Sequence, residues 1–131
     1  MAEHRIVVFG KEGCPKCKTL NSRIDALIKN SRWDDVDKEY VDVSTVEGLV
    51  RFSRAECINP QRIPALVVTQ KDPDGGTFNP VPNPRPDEKD EVCGDSRLYS
   101  ILGLQTDYSS AGRGVISKEM ITSVLAEATS A

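Results

Sequence analysis

Two cysteines separated by two residues, Cys14 and Cys17, are the side chains in this sequence best suited to chemistry. A pair at this spacing binds a metal ion, cycles between a dithiol and a disulfide, or consists of two inert helix residues. A structural zinc site needs four ligands, usually supplied as two close pairs. The other two cysteines, Cys57 and Cys93, are single and widely spaced, and His4 is the only histidine. The composition therefore favours redox chemistry over a metal site.

The residues on either side of the pair predict a strand and a helix. Residues 5–9, RIVVF, form an apolar run with β-branched side chains, which is typical of a strand buried on both faces at the centre of a sheet. From Pro15 to about Lys29 apolar residues recur at helical spacing, and proline suits the first helical position. The cysteine pair therefore opens a helix that follows a central strand.

This position makes Cys14 the expected nucleophile. A thiolate is the attacking species in disulfide exchange, and the unpaired N–H groups at a helix start stabilise negative charge. Lys11, Lys16 and Lys18 add positive charge nearby. Such surroundings lower the pKa of a thiol from about 8.5 into roughly the 3.5–7.5 range. Cys17 lies one turn later on the apolar face, so we expect it to resolve the mixed disulfide that Cys14 forms.

The rest of the sequence predicts a single domain with further strands and helices. Periodicity indicates strands over residues 38–43 and 65–70, and helices over residues 45–56 and 117–128. Ser44 and Glu47 have the spacing of a capping box at the start of the first of these helices. Residues 71–91 contain five of the eight prolines and no periodicity, which predicts a surface insertion. Residues 97–105 are ambiguous between a strand and a short helix.

Composition and charge exclude several classes of function. A length of 131 residues suits one domain, and a formal net charge of -3 provides no broad basic field for nucleic acid or anionic membranes. The apolar part of the N-terminal segment spans five residues, too short for a signal peptide or a membrane span. We therefore expect a cytoplasmic, monomeric protein that binds neither nucleic acid nor membrane.

The order of strand, Cys-Pro-Lys-Cys, helix, strand and helix, followed by RIPALVV at residues 62–68, resembles the glutaredoxin and thioredoxin superfamily. The segment VVFGKEGCPKC at residues 7–17 is closer to glutaredoxins, which place a lysine shortly before a Cys-Pro-aromatic-Cys motif. The resemblance implies an α/β thioredoxin-like fold with a four-stranded mixed sheet, in the order βαβαββα, flanked by helices. The proline-rich insertion, residues 71–96, then lies between strands three and four. It also implies a cis Ile63–Pro64 bond in a loop that faces the cysteines and lends backbone groups to an extended substrate.

The segment after the insertion can be aligned with the sequence pattern of this family in two registers. In the first, residues 93–96 form the glycine turn of glutaredoxins and hold a carboxylate of glutathione beside the cysteines. In the second, residues 97–105 are strand four, Cys93 belongs to the insertion at the far end of the sheet, and residues 107–114 return to the active site. We favour the second register because it uses each expected element once. Residues that then flank Cys14 are Tyr108, Gly112, Arg113 and Gly114.

The candidate substrate site surrounds the two cysteines. Its predicted members are Lys11, Pro15, Lys16, Arg62, Ile63, Pro64, Gly112 and Arg113. Lys16 stands where glutaredoxins carry an aromatic residue, and Arg62 departs from the usual residue two positions before the cis-proline. A basic pocket made from the cationic members would bind a carboxylate of glutathione or an acidic protein partner.

The leading hypothesis is a thiol–disulfide oxidoreductase with no bound cofactor and with glutathione as a candidate co-substrate. Its partners would be a disulfide-containing protein or glutathione, and a reductant, either glutathione or a flavoprotein reductase. Two alternatives stay open: a metal or iron–sulfur cluster carrier on the same fold, and a non-catalytic binding module that works through its insertion. Cys57, His4 and Trp33 are interpreted as structural.

Overall fold

The computed structural model describes a mixed sheet with two helices. The described residues are 3–11, 13–29, 33, 35–45, 47–48, 63–86, 92–98, 101–108 and 114–130. In chain order the elements are β1 (His4–Gly10), α1 (Pro15–Ile28), β2 (Val36–Asp42), β3 (Ala65–Lys71), β4 (Phe78–Pro80), a 3-10 turn (Gly94–Ser96), β5 (Gly103–Gln105) and α2 (Lys118–Ser130). Neither of the described helices has the length and hydrophobicity that a membrane span requires.

The sheet has β1 at its centre, as the apolar run predicts. β2 pairs with β1 in parallel, and β3 pairs with β1 in the antiparallel direction. The other edge of β3 is shared by two short antiparallel strands, with β5 opposite residues 65–67 and β4 opposite residues 69–71. The fourth position of the sheet is therefore divided between β4 and β5, and the whole arrangement is a thioredoxin-like fold.

The core lies on both faces of β1, since strand residues alternate between the faces of a sheet. Ile6 and Val8 pack in one cluster with α1 and α2, and Val7 and Phe9 pack in a second cluster with Leu98. Burying each such side chain stabilises the fold by about 1.5–3 kcal/mol. Burial on both faces explains why RIVVF reads as an uninterrupted apolar run.

The final helix forms as the sequence predicts. Ser117 Oγ accepts a hydrogen bond from the N–H of Met120 at 3.2 Å, and this is the capping interaction expected at that position. The predicted apolar face of the helix is buried; its members are Met120, Ile121, Val124, Leu125 and Ala128. Cys93 and Trp33 are buried in the same cluster, and Cys93 Sγ lies 3.7 Å from the carbonyl oxygen of Met120.

The proline-rich insertion contributes a strand that sequence periodicity does not reveal. β4 lies in this segment, and the N–H of Val81 continues the ladder to the carbonyl of Val68 at 3.0 Å. Proline has no N–H to donate and occurs in sheets mainly on edge strands, so Pro80 and Pro82 hide the alternation without preventing pairing. Val81 and Asn83 are buried, so this part of the insertion packs against the domain.

An ionic cluster joins the insertion to α2. Arg85 Nε donates to Glu127 at 2.8 Å, and Arg97 donates both to Glu127 and, at 2.7 Å, to Asn83. Partial burial alone would raise the pKa of Glu127, but the hydrogen bonds from Arg97 and Arg85 outweigh it and hold that pKa below its usual value. The carboxylate is therefore ionised at neutral pH and ties these segments together.

Two local predictions need correction. The prediction of one continuous strand over residues 97–105 is wrong in its extent. The N–H of Leu98 donates to the carbonyl of Gly103 at 3.0 Å, so the chain reverses direction within this segment. Of the described residues in this segment, only residues 103–105 form a strand, β5. The glycine allows this approach, because a Cβ on Gly103 would lie 2.8 Å from Leu98 Cδ1.

The predicted cap at Ser44 is also displaced. Ser44 donates to Asp42 instead, while Thr45 Oγ1 accepts from the N–H of Gly48 at 3.0 Å. The capping interaction is thus made one residue later than the sequence pattern suggests. Most of the predicted helix over residues 45–56, together with Cys57, lies outside the described residues.

Candidate active site

The cysteine pair lies at the start of α1. Gly13, with φ of 81°, turns the chain out of β1, and Pro15 occupies the first turn of the helix. Cys14 is the N-cap residue, and its Sγ accepts the N–H of Cys17 at 3.2 Å. The helix start therefore directs a backbone donor at the first sulfur.

The two cysteines differ in accessibility and are joined by a disulfide. Their Cα atoms are 5.2 Å apart. Cys17 is 1% exposed and faces the sheet, whereas Cys14 is partly exposed. An external reagent therefore reaches Cys14, and Cys17 is reached from within the protein.

The predicted cis-proline loop lies at the same edge of the sheet. The Ile63–Pro64 bond is cis, and β3 begins immediately after it, with Ala65 paired to Phe9 near the end of β1. Pro64 and Lys16 line one cavity of about 170 Å³. The chain thus brings Ile63 and Pro64 next to the first turn of α1.

The contacts that Lys16 and the cis-proline loop make with Thr106, Tyr108 and Gly114 are called the loop side of the site. Thr106 Oγ1 donates to the carbonyl of Pro64 and Tyr108 Oη donates to that of Ile63, each at 2.6 Å. Lys16 Nζ donates to the carbonyl of Gly114 at 2.9 Å and lies 5.6 Å from the centre of the Tyr108 ring. The polar groups of the loop side therefore hydrogen-bond to one another.

On the opposite side of Cys14 is an open groove of about 470 Å³, which we call the Cys14 groove. Its lining includes Lys11, Cys14, Pro15, Lys18 and Tyr40. The ammonium groups of Lys11 and Lys18 have no ion-pair or hydrogen-bond partner within the described part of the chain. None of the described residues that line the groove is acidic, so the groove presents positive charge beside the accessible sulfur.

Tyr40 extends from β2 into this groove, close to both cysteines. A Cβ on Gly10 would lie 2.6 Å from Tyr40 Oη and 3.1 Å from Cys17 Sγ, so both atoms border the space that the glycine leaves open. Burial, followed by the charge of Asp42, raises the pKa of Tyr40. The pKa of Asp42 is lowered by hydrogen bonds from the side chain and backbone of Ser44. Tyr40 therefore carries its proton at neutral pH.

The predicted site residues separate into three groups. Lys11, Cys14 and Pro15 line the groove with Lys18 and Tyr40. Lys16, Ile63 and Pro64 belong to the loop side. The remaining predicted members, Arg62, Gly112 and Arg113, lie outside the described residues.

Sequence patterns did not point to Tyr40 or Thr106. For Tyr40 a signal existed: it lies near the carboxyl end of a strand parallel to β1, and carboxyl ends of parallel strands meet at one edge of a sheet. For Thr106 there was no signal, because its contact with Pro64 joins residues 42 apart in the chain. No three His, Cys, Asp or Glu side chains among the described residues come together as a metal site.

Comparison with known proteins adds a distant structural likeness. No protein-family model and no curated protein matches the sequence. Among solved structures, the oxidised form of mitochondrial thioredoxin 3 from Saccharomyces cerevisiae aligns with a TM-score of 0.41 and 19% identity. The alignment covers 60% of this chain and 64% of the yeast protein, slightly less than two thirds of its length.

Proposed function

We propose that this protein is a thiol–disulfide oxidoreductase in which Cys14 attacks and Cys17 resolves. The observation that carries the proposal is the pairing of an accessible sulfur at a helix N-cap with a buried sulfur one turn later. The cis-proline loop lies beside the first turn of α1, and the positively charged groove borders the accessible sulfur.

The first step is attack by the Cys14 thiolate on a substrate disulfide. A bond forms between Cys14 Sγ and one substrate sulfur, and the other substrate sulfur leaves with the electron pair of the broken bond. The N–H of Cys17, 3.2 Å from Cys14 Sγ, and the N-terminal end of α1 favour the thiolate. Lys11 and Lys18 strengthen this field from the groove.

The second step releases the substrate. Cys17 Sγ attacks Cys14 Sγ, the intramolecular disulfide forms, and the second substrate thiolate leaves and takes up a proton. The dithiol loses two electrons and the substrate disulfide gains them. Glutathione or a flavoprotein reductase would then return the pair to the dithiol, and the cycle needs no bound cofactor.

The charge of the groove favours an anionic substrate. Two lysines without partners in the described chain flank Cys14, and the described lining contains no carboxylate to neutralise them. A substrate with acidic groups near its disulfide would complement this charge. Glutathione disulfide and an acidic segment of a disulfide-containing protein both meet this requirement.

A trapping experiment tests the proposed function. A Cys17→Ser variant cannot resolve, so it should accumulate mixed disulfides at Cys14 when incubated with oxidised protein substrates or glutathione disulfide, detected by mass spectrometry. A Cys14→Ser variant is the matched control and should trap none, because its remaining Cys17 is buried. Absence of adducts on Cys17→Ser, under conditions where the wild-type chain is fully reduced, would refute the proposal.

A further inference from the structure

We infer that Tyr40 is a positioning residue for the resolving step: its hydroxyl donates a hydrogen bond to Cys17 Sγ as that sulfur becomes a thiolate. The inference rests on the proposed function, since it concerns the second half of the same exchange reaction. It assigns a role to a side chain that lies on neither the cysteine motif nor the cis-proline loop.

The register of the sheet brings the tyrosine to the buried sulfur. Tyr40 pairs with Val8 across the parallel strands, and Gly10 follows two residues later on the same face of β1. Because Gly10 has no side chain, Tyr40 Oη and Cys17 Sγ both border the space above it, at 2.6 Å and 3.1 Å from the position of a Cβ. A larger residue at position 10 would separate them.

The resolving step needs a polar group at this place. Cys17 is 1% exposed, and burial of a thiol in apolar surroundings raises its pKa and disfavours the attacking thiolate. Tyr40 is 38% exposed and lines the groove, and its Oη borders the same space above Gly10 as Cys17 Sγ. Its hydroxyl has no hydrogen-bond partner among the described residues, so it is available to the developing negative charge.

The protonation state of Tyr40 allows its hydroxyl to donate a hydrogen bond. Burial and the nearby charge of Asp42 raise the pKa of the phenol, so the hydroxyl keeps its proton throughout the neutral range. Lys18 and Lys11, which line the same groove, are cationic and favour the thiolate as well. In the balanced step, the proton lost by Cys17 passes to the departing substrate thiolate or to solvent, and Tyr40 retains its own.

The test uses a small disulfide probe that a dithiol can reduce, and it measures attack by Cys14 and resolution by Cys17 separately. Reduced protein is mixed with an aromatic disulfide that releases one coloured thiolate when Cys14 attacks and a second when Cys17 resolves. In Tyr40→Phe we expect the first phase to change by less than about twofold and the second to slow by about tenfold, the usual worth of a hydrogen bond to a charged group. The pH dependence of the second phase should also move to higher pH.

Each outcome has a defined meaning. A second phase unchanged in Tyr40→Phe, or too fast to separate in both proteins, overturns the inference, and so does equal slowing of both phases, which would indicate a purely structural role. Cys17→Ser should show the first phase alone, which assigns the second to Cys17. If the wild-type chain itself lacks a second phase, both the inference and the resolving role of Cys17 fail. If both phases occur but no disulfide substrate is trapped, only the proposed function fails.

Discussion

The two sides of Cys14 contain the same kinds of side chain in opposite situations. On the loop side, the side chains of Tyr108 and Lys16 donate hydrogen bonds to backbone carbonyls, and Lys16 also lies against the Tyr108 ring. In the Cys14 groove, the hydroxyl of Tyr40 and the ammonium of Lys18 have no hydrogen-bond partner in the described chain. Groups already paired within the protein stabilise the site, whereas unpaired groups are available to reactants.

The helix explains why neighbouring lysines differ. Lys16 and Lys18 are two residues apart, and an α-helix turns by about 200° over two residues. One lysine therefore reaches Gly114 and the other lines the groove. A lysine close to a cysteine in the sequence therefore does not always place its charge near the sulfur.

The largest expected effect on stability lies on the loop side. Thr106→Val removes the hydroxyl of a residue that is 1% exposed and leaves the carbonyl of Pro64 without its hydrogen bond from Thr106. We expect the free energy of unfolding to fall by about 1–3 kcal/mol, as measured by urea denaturation. In the control variant Thr122→Val, an exposed hydroxyl that donates to Lys118 is lost, and the change should stay within about 0.5 kcal/mol. Equal losses in the two variants would contradict the structural role of the loop side.

A matched pair of lysine variants tests the contrast between the loop side and the Cys14 groove. Lys16→Met should lower the free energy of unfolding by about 0.5–1 kcal/mol, because it loses the hydrogen bond to Gly114 on an exposed side chain. Lys18→Met should leave stability nearly unchanged but slow the reaction with a negatively charged disulfide by about two- to fivefold, comparable to an exposed ion pair.

Salt provides the control for the second effect. At about 1 M ionic strength the screening length is only about 3 Å, so the rate difference between Lys18→Met and the wild-type protein should disappear. A neutral disulfide should react with both proteins at similar rates. If Lys16→Met slows the anionic reaction and Lys18→Met does not, the assignment of the two sides is reversed.

The smallest expected effect is spectroscopic. The hydroxyl of Tyr40 should ionise above pH 10, because burial and then the charge of Asp42 raise its pKa. Titration of ring-labelled tyrosine by NMR, with Tyr40→Phe to assign the signal, measures this directly. Asp42→Asn should lower the pKa only in part, since burial is the larger cause and remains. Ionisation of Tyr40 at or below pH 10 would contradict its assignment as a protonated donor.

The sequence predicted elements best where periodicity was strong. β1, α1 and α2 appear close to their expected bounds, because apolar residues at a regular spacing must face a core. β4 escaped prediction because prolines interrupt its pattern, and the capping residue moved from Ser44 to Thr45 because Asp42 binds Ser44. Competition among nearby polar groups of this kind has no marker in spacing alone.

Three features of the site follow from the sequence alone: the cysteine spacing, the helix start at Cys14 and the proline that precedes β3. Each depends on residues adjacent in the chain. The tertiary structure sets which lysine faces the groove, and it places Tyr40 Oη and Cys17 Sγ at the same space above Gly10. These depend on the rotation of α1 over the sheet and on the register of β2 against β1. Both are set by contacts between distant segments, which local patterns do not encode.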